Sequence, residues 1–112
     1  MKFMLFTYRD PSVELDPEQR ATIPAAVAAW CDEMDGRGVR LTGHVLGPVT
    51  ESRTIRVEGA ETIVREEPVA DQRFQIAGFN ILECEDVEEA VEVAAKNPGA
   101  SFGMLELRPI EF

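Results

Sequence analysis

His44 is the only histidine in the chain, so imidazole acid–base chemistry near neutral pH has one place to occur. It stands between Gly43 and Val45, at the end of a segment with strand character, where a bare glycine backbone lets a ligand come close. The commoner role of such a residue is an exposed or hydrogen-bonded strand histidine, and both readings stay open on sequence grounds. Asp71 and Arg73 lie two apart, so in an extended segment they point the same way. Asp71 could take a proton while Arg73 holds a substrate carboxylate in its bidentate fork. Alternatively, the two form a solvated or structural ion pair. Glu106 and Arg108 obey the same period-two rule on the last strand. A charge there is costly unless paired or set in a cleft, which makes Arg108 either an anion anchor or half of a structural pair. Tyr8 ends the first strand and could place a phenol at the mouth of a cleft, its plainer role being packing. The chemistry these residues describe is cofactor-free proton transfer, of an isomerase, lyase or dehalogenase-like kind. His44 or Asp71 would be the base, and Arg73 or Arg108 would hold an anion.

Other chemistries find no matching pattern. One histidine with scattered acids is not a ligand cluster, and Cys31 and Cys84 are far apart with no CxxC pair, so no metal is expected. Cys31 has no sequence neighbour that would activate it as a nucleophile. There is no phosphate-cradling glycine loop, serine elbow or dinucleotide fingerprint, and no cofactor is expected. Twenty-one acids against 11 Lys and Arg leave a net charge of −10, which repels phosphate backbones and anionic lipid. Neither a nucleic-acid nor a membrane partner is expected. The opening Phe3-Met4-Leu5-Phe6 is too short for a signal core or a span, so the expected compartment is the cytoplasm.

These residues must be positioned by a small frame. At 112 residues the chain has room for one domain, residues 1–112. Lys2 to Tyr8 reads as a strand apolar on both faces, which suits a sheet covered on both sides. Asp16-Pro17-Glu18 starts a helix, with a short leading turn and a kink or restart expected at Pro24. Ile23, Val27, Trp30 and Met34 form its buried row, and Gly36 and Gly38 end it. Arg40 to Leu46 is a strand closed by Gly47-Pro48. Arg53–Glu58 and Glu61–Arg65 are a hairpin turning at Gly59-Ala60. After the loop around Pro68 comes a strand from Ile76 to Cys84. A capping box at Asp86–Glu89 then opens a helix with Val87, Ala90, Val91 and Ala94 on one face. Asn97-Pro98-Gly99 stops that helix before a final strand, Met104 to Arg108.

The order is β-α-β, hairpin, β-α-β: an α+β, ferredoxin-like split βαβ with an inserted hairpin. Two helices cover one face of such a sheet. The other face would keep more apolar surface than a soluble monomer exposes, which calls for a sheet-to-sheet homodimer.

The stretch Val64 to Phe79, together with Met1–Phe6, Gly38 to Pro48 (with Leu41, Gly43, Leu46 and Pro48), and Glu106-Leu107-Arg108-Pro109, resembles the YCII-related family in its DGPF-motif branch. The resemblance implies a dimeric α+β barrel that binds a small organic ligand. It also leaves an alternative: a non-catalytic interaction or regulatory protein associated with transcription control. Where that branch has Asp-Gly-Pro-Phe, this chain has Glu66-Glu67-Pro68-Val69. Phe74 stands where a further acid is expected. The better-known branch is thought to pair a histidine of the first helix with the acid of an Asp-Pro-Phe turn. Here the first helix lacks histidine and the turn reads Asn97-Pro98-Gly99, so the resemblance carries no such dyad.

Overall fold

The computed structural model describes residues 1–69 and 73–112. In chain order the elements are β1 (Lys2–Arg9), α1 (Pro17–Gly36), β2 (Arg40–Val45), β3 (Thr54–Glu58), β4 (Glu61–Arg65), β5 (Gln75–Glu83), α2 (Val87–Ala95), α3 (Gly99–Phe102) and β6 (Met104–Pro109). Strands β2, β5, β1 and β6 form one sheet in that order, every neighbouring pair antiparallel. This is the ferredoxin-like α+β arrangement. Strands β3 and β4 pair with each other as a separate ribbon.

Strand alternation divides the sheet cleanly. Phe3 and Leu5 of β1 point toward the helices and are fully buried, with Leu82 beside Phe3 on β5. Trp30 and Met34 of α1 and Ala90, Val93 and Ala94 of α2 close that core. Met4 and Phe6 point the other way and lie half-buried on a face that no helix of the chain covers. The two-sided apolar pattern of the first strand thus corresponds to two different environments.

Local capping accounts for the helix starts. Asp16 accepts a hydrogen bond from the Gln19 backbone N–H at 2.7 Å, and the Gln19 side chain accepts from the Asp16 N–H at 3.0 Å. That reciprocal box nucleates α1, which runs unbroken through Pro24, contrary to the expected restart. Proline removes one donor there, but Arg20 and Pro24 are both exposed, so the Arg20 carbonyl that loses its partner faces water. At the far end Gly38 turns the chain with φ 72°, a conformation that favours glycine.

Two expectations about the second half need correction. The buried row of α2 is Ala90, Val93 and Ala94, whereas Val87 and Val91 are exposed. Small alanines let α2 lie close to the sheet, so the helix turns that side inward and leaves two valines in solvent. The Asn97-Pro98-Gly99 stop also starts α3, because the buried Asn97 Oδ1 accepts from the Gly99 N–H at 2.8 Å.

The radius of gyration is 16.2 Å, against about 13 Å for a compact chain of this size. The β3–β4 ribbon stands apart from the main sheet and leaves Ile55, Val57 and Val64 exposed.

Cys84, at the end of β5, is buried with a free thiol. Burial first, then the charge of Glu89, pushes this thiol above its ordinary range. The sign of the linkage is fixed by that direction. Once pH passes the unfolded thiol's value of about 8.5, the unfolded chain sheds a proton that the folded chain retains, so stability falls as pH rises. Urea unfolding between about pH 8 and pH 10 should therefore show a steeper loss for the wild type than for Cys84→Ala. Equal slopes would mean that this thiol is not the titrating group.

Candidate functional site

The N-terminal half of α1 faces a stretch of sheet with little bulk. On the helix side, Thr7, Gly78 and Val45 sit side by side across β1, β5 and β2, and Leu5, Asn80 and Gly43 form the next row. Large side chains fill the lower rows, where Phe3, Leu5 and Leu82 are buried. Under Ile23 and Val27 the sheet offers Gly43, Ala77 and Gly78 instead. The space that results is a cleft of about 330 Å³, within the range of small-molecule sites.

Its walls are mostly apolar, with a few polar groups on the sheet side. Arg40 Nε donates to Asn80 Oδ1 at 2.8 Å, and Arg40 Nη1 binds both carboxylate oxygens of Asp35, at 2.9 and 3.2 Å. A third guanidinium contact reaches the Gly43 carbonyl at 3.4 Å. The fork is thereby locked in place and holds the Asn80 amide at the cleft wall. Trp30 belongs to the core, as its place in the helical row predicts, and its ring also borders the cleft. Cys31 and Asn97 complete the inner end.

Gly43 is required by this packing. A Cβ there would collide with the Asn80 side chain and come within 2.8 Å of the Phe79 carbonyl oxygen. The amide could swing aside, but the carbonyl is fixed in the β2–β5 ladder. Gly43→Ala should cost about 1–3 kcal/mol in urea unfolding, and Asn80→Ala should relieve only part of that loss.

The residues singled out for chemistry fall in separate places. On the uncovered face, His44, Phe79, Phe6 and Glu106 form one cross-strand row, and Thr42, Ile81, Met4 and Arg108 the next. The His44 ring lies against Phe79, centroids 5.8 Å apart. Three interstrand spacings, about 14 Å, separate it from the β6 edge. The structure does not bring His44 and Arg108 together within one chain. Tyr8 does meet the β6 edge: its hydroxyl donates to Glu106 Oε1 at 2.9 Å. That bond, then burial and the Glu106 charge, raise the phenol above its usual value, and Arg108 opposes the shift.

Arg73 lies just before β5, near the end of β1 that carries Tyr8 and Asp10, with its guanidinium 5.4 Å from the centre of the Phe74 ring. Its charge adds to the two Ser12 hydrogen bonds that hold Asp10 below the usual carboxylate range. Asp71 lies outside the described residues. Among the described residues, no group of three His, Cys, Asp or Glu side chains is placed to hold a metal ion.

The YCII-related domain matches residues 1–111, essentially the whole chain. The chain belongs to the YCII-related family. An uncharacterised protein of Rhizobium meliloti (strain 1021) is 30% identical over 127 residues, covering 98% of this chain and 92% of its own. A solved structure of the same fold is 5-chloro-2-hydroxyhydroquinone dehydrochlorinase from Burkholderia phenoliruptrix AC1100, in complex with 2,5-dihydroxybenzoquinone. It matches with a TM-score of 0.56 and 15% identity, over 99% of this chain and 94% of that one. At that identity the likeness is one of fold, and it supports the ferredoxin-like architecture of this family member. No helix is long and apolar enough to cross a membrane among the described residues.

The cleft itself was not legible from sequence. Its signal is negative: Gly43, Ala77 and Gly78 must be seen side by side under α1 before their lack of bulk means anything. Arg40 and Asn80 offered no spacing that marks them as partners, since 40 residues separate them.

Proposed function

We propose that this YCII-related protein binds a small organic molecule in the cleft between α1 and the sheet and transforms it by cofactor-free proton transfer, as a lyase or isomerase. The observation that carries the reading is the cleft: a largely apolar space with one fixed guanidinium–amide pair on its wall. The structural neighbour, a dehydrochlorinase bound to a quinone, supports a ligand of that size on this fold. The proton would be handled by Asp71, two residues before Arg73 in sequence, whereas His44 faces the other side of the sheet and is a candidate base only for a ligand bound there. Arg73 is the candidate for meeting an anion. Arg108 and Tyr8 are candidates on the uncovered face, where a second copy of the chain would complete their surroundings. The regulatory alternative draws no support from the relatives.

The test is a titration of Trp30 fluorescence with 2,5-dihydroxybenzoquinone and simple dihydroxybenzenes. A saturable change is expected in the wild type and its loss in Val27→Phe, which fills the cleft. Unchanged binding in a folded Val27→Phe variant would remove the cleft as the site. Turnover is read by NMR as exchange of substrate C–H for deuterium. It should vanish in Asp71→Asn; loss in His44→Gln instead would move the reaction to the uncovered face. Exchange that persists in both would overturn their assignment.

A further inference from the structure

The cleft does not end at Ile23. Thr7, Ile23, Ala77 and Phe102 line both it and a second space of about 470 Å³ at the C-terminal end of β1, so the two adjoin and make a trough along α1. The inner part is lined by Ile23, Val27, Trp30 and Phe102. The outer part is lined by Arg9, Asp10 and Arg20, with Tyr8 and Leu15 beside them. Charge changes along the trough: an apolar interior gives way to a cationic mouth.

The contrast matters because this chain has 21 acids and only 11 Lys and Arg. Most arginines beside the helices and in the ribbon are matched, as in Arg37–Glu33, Arg40–Asp35, Arg53–Glu66 and Arg65–Glu67. Among the described residues neither Arg9 nor Arg20 has an ion pair, and Arg20 spends one N–H on the Leu15 carbonyl at 3.3 Å. The one acid lining this mouth, Asp10, accepts the hydroxyl and the N–H of Ser12 on a single oxygen, at 2.6 and 2.9 Å, and leaves two cations to one anion on the rim. Two guanidinium groups therefore keep donors in hand at the open end of a greasy slot, in a protein whose overall field repels anions. Local donors must outweigh that field for an anion to settle here, which makes them a specificity element.

Resting on the cleft as the ligand site, we infer that the ligand class is an aromatic carboxylate. Its ring lies between α1 and the sheet, and its carboxylate is held at the mouth by Arg9 and Arg20. Arginine forks suit a carboxylate in particular, because two parallel N–H donors match its two oxygens.

The experiment compares 1-naphthoate with its neutral isostere 1-naphthamide, both followed through Trp30 fluorescence. The wild type should bind the acid about tenfold or more tightly than the amide, and added salt should narrow the gap. The double substitution Arg9→Gln with Arg20→Gln should abolish the preference while leaving the amide's Kd in place. Both arginines are exposed, so the variant folds, which circular dichroism checks. Equal binding of acid and amide by the wild type, or an undiminished preference in the double variant, overturns the inference and leaves the cleft standing. Failure of both probes to bind, with no effect of Val27→Phe, overturns the cleft reading as well.

Discussion

Phe6→Asp should convert the protein from a particle of twice the 12.4 kDa chain mass into one of single mass, as read by light scattering at micromolar concentration. Phe6 pairs directly with Phe79, and Met4 with Ile81, in the two central strands of the sheet. Among the described residues no element covers them. Thr42 and His44 border this apolar strip on one side, and Glu106 and Arg108 on the other. An apolar centre with a polar rim is the anatomy of a protein interface. A second copy of the same sheet would supply a matching surface by two-fold symmetry. Burying an unpaired carboxylate at its centre costs several kcal/mol, roughly, so the association should collapse. A wild-type mass of one chain would sink the homodimer. A dimeric Phe6→Asp variant would place the contact elsewhere.

Trp30→Ala is expected to remove about 3–5 kcal/mol of stability, a large part of the 5–15 kcal/mol, approximately, that holds a domain together. Trp30 is 5% exposed, and its Nε1–H donates to the Val93 carbonyl at 3.0 Å. Val93 lies in the last turn of α2, where helix carbonyls lack their usual partners, so the indole also caps the other helix. Truncation empties the space beside Met34 and leaves that carbonyl only the longer bond from the Lys96 N–H, at 3.3 Å. Trp30→Phe separates the two effects: most of the volume stays, and the lost hydrogen bond should cost about 1 kcal/mol. Urea unfolding followed by circular dichroism measures both. A loss below 1 kcal/mol in Trp30→Ala would show that α1 and α2 are not joined through this ring.

The frame of the molecule was written plainly in its sequence because it rests on long periodic segments. The alternation in Phe3-Met4-Leu5-Phe6 and the row through Trp30 and Met34 each encode which side faces the helices. The inner face of α2 was misread for a physical reason. In a nine-residue helix at the edge of the sheet, close approach by Ala90 and Ala94 counts for more than the bulk of Val87 and Val91. Charge at the trough mouth was equally hidden. Arg9 and Arg20 are ordinary surface residues until the turn after β1 and the first turns of α1 place them on one rim. His44 was conspicuous by type, yet its face is decided by register: Gly43 takes the helix side opposite Asn80, so its neighbour must look the other way.

The β3–β4 ribbon has a meaning for how such proteins diversify. Its strands pair only with each other, and Gly59, at φ 61°, turns the chain back on itself. The register of the main sheet therefore does not depend on it. An insertion, deletion or replacement within the β3–β4 ribbon would leave the buried layer under α1 and α2 intact. Charged residues along the ribbon (Arg56, Glu58, Glu61 and Arg65) discourage stray strand addition while it varies. The fold thus carries a stretch of chain that selection can rewrite freely, at little risk to the core that makes everything else work.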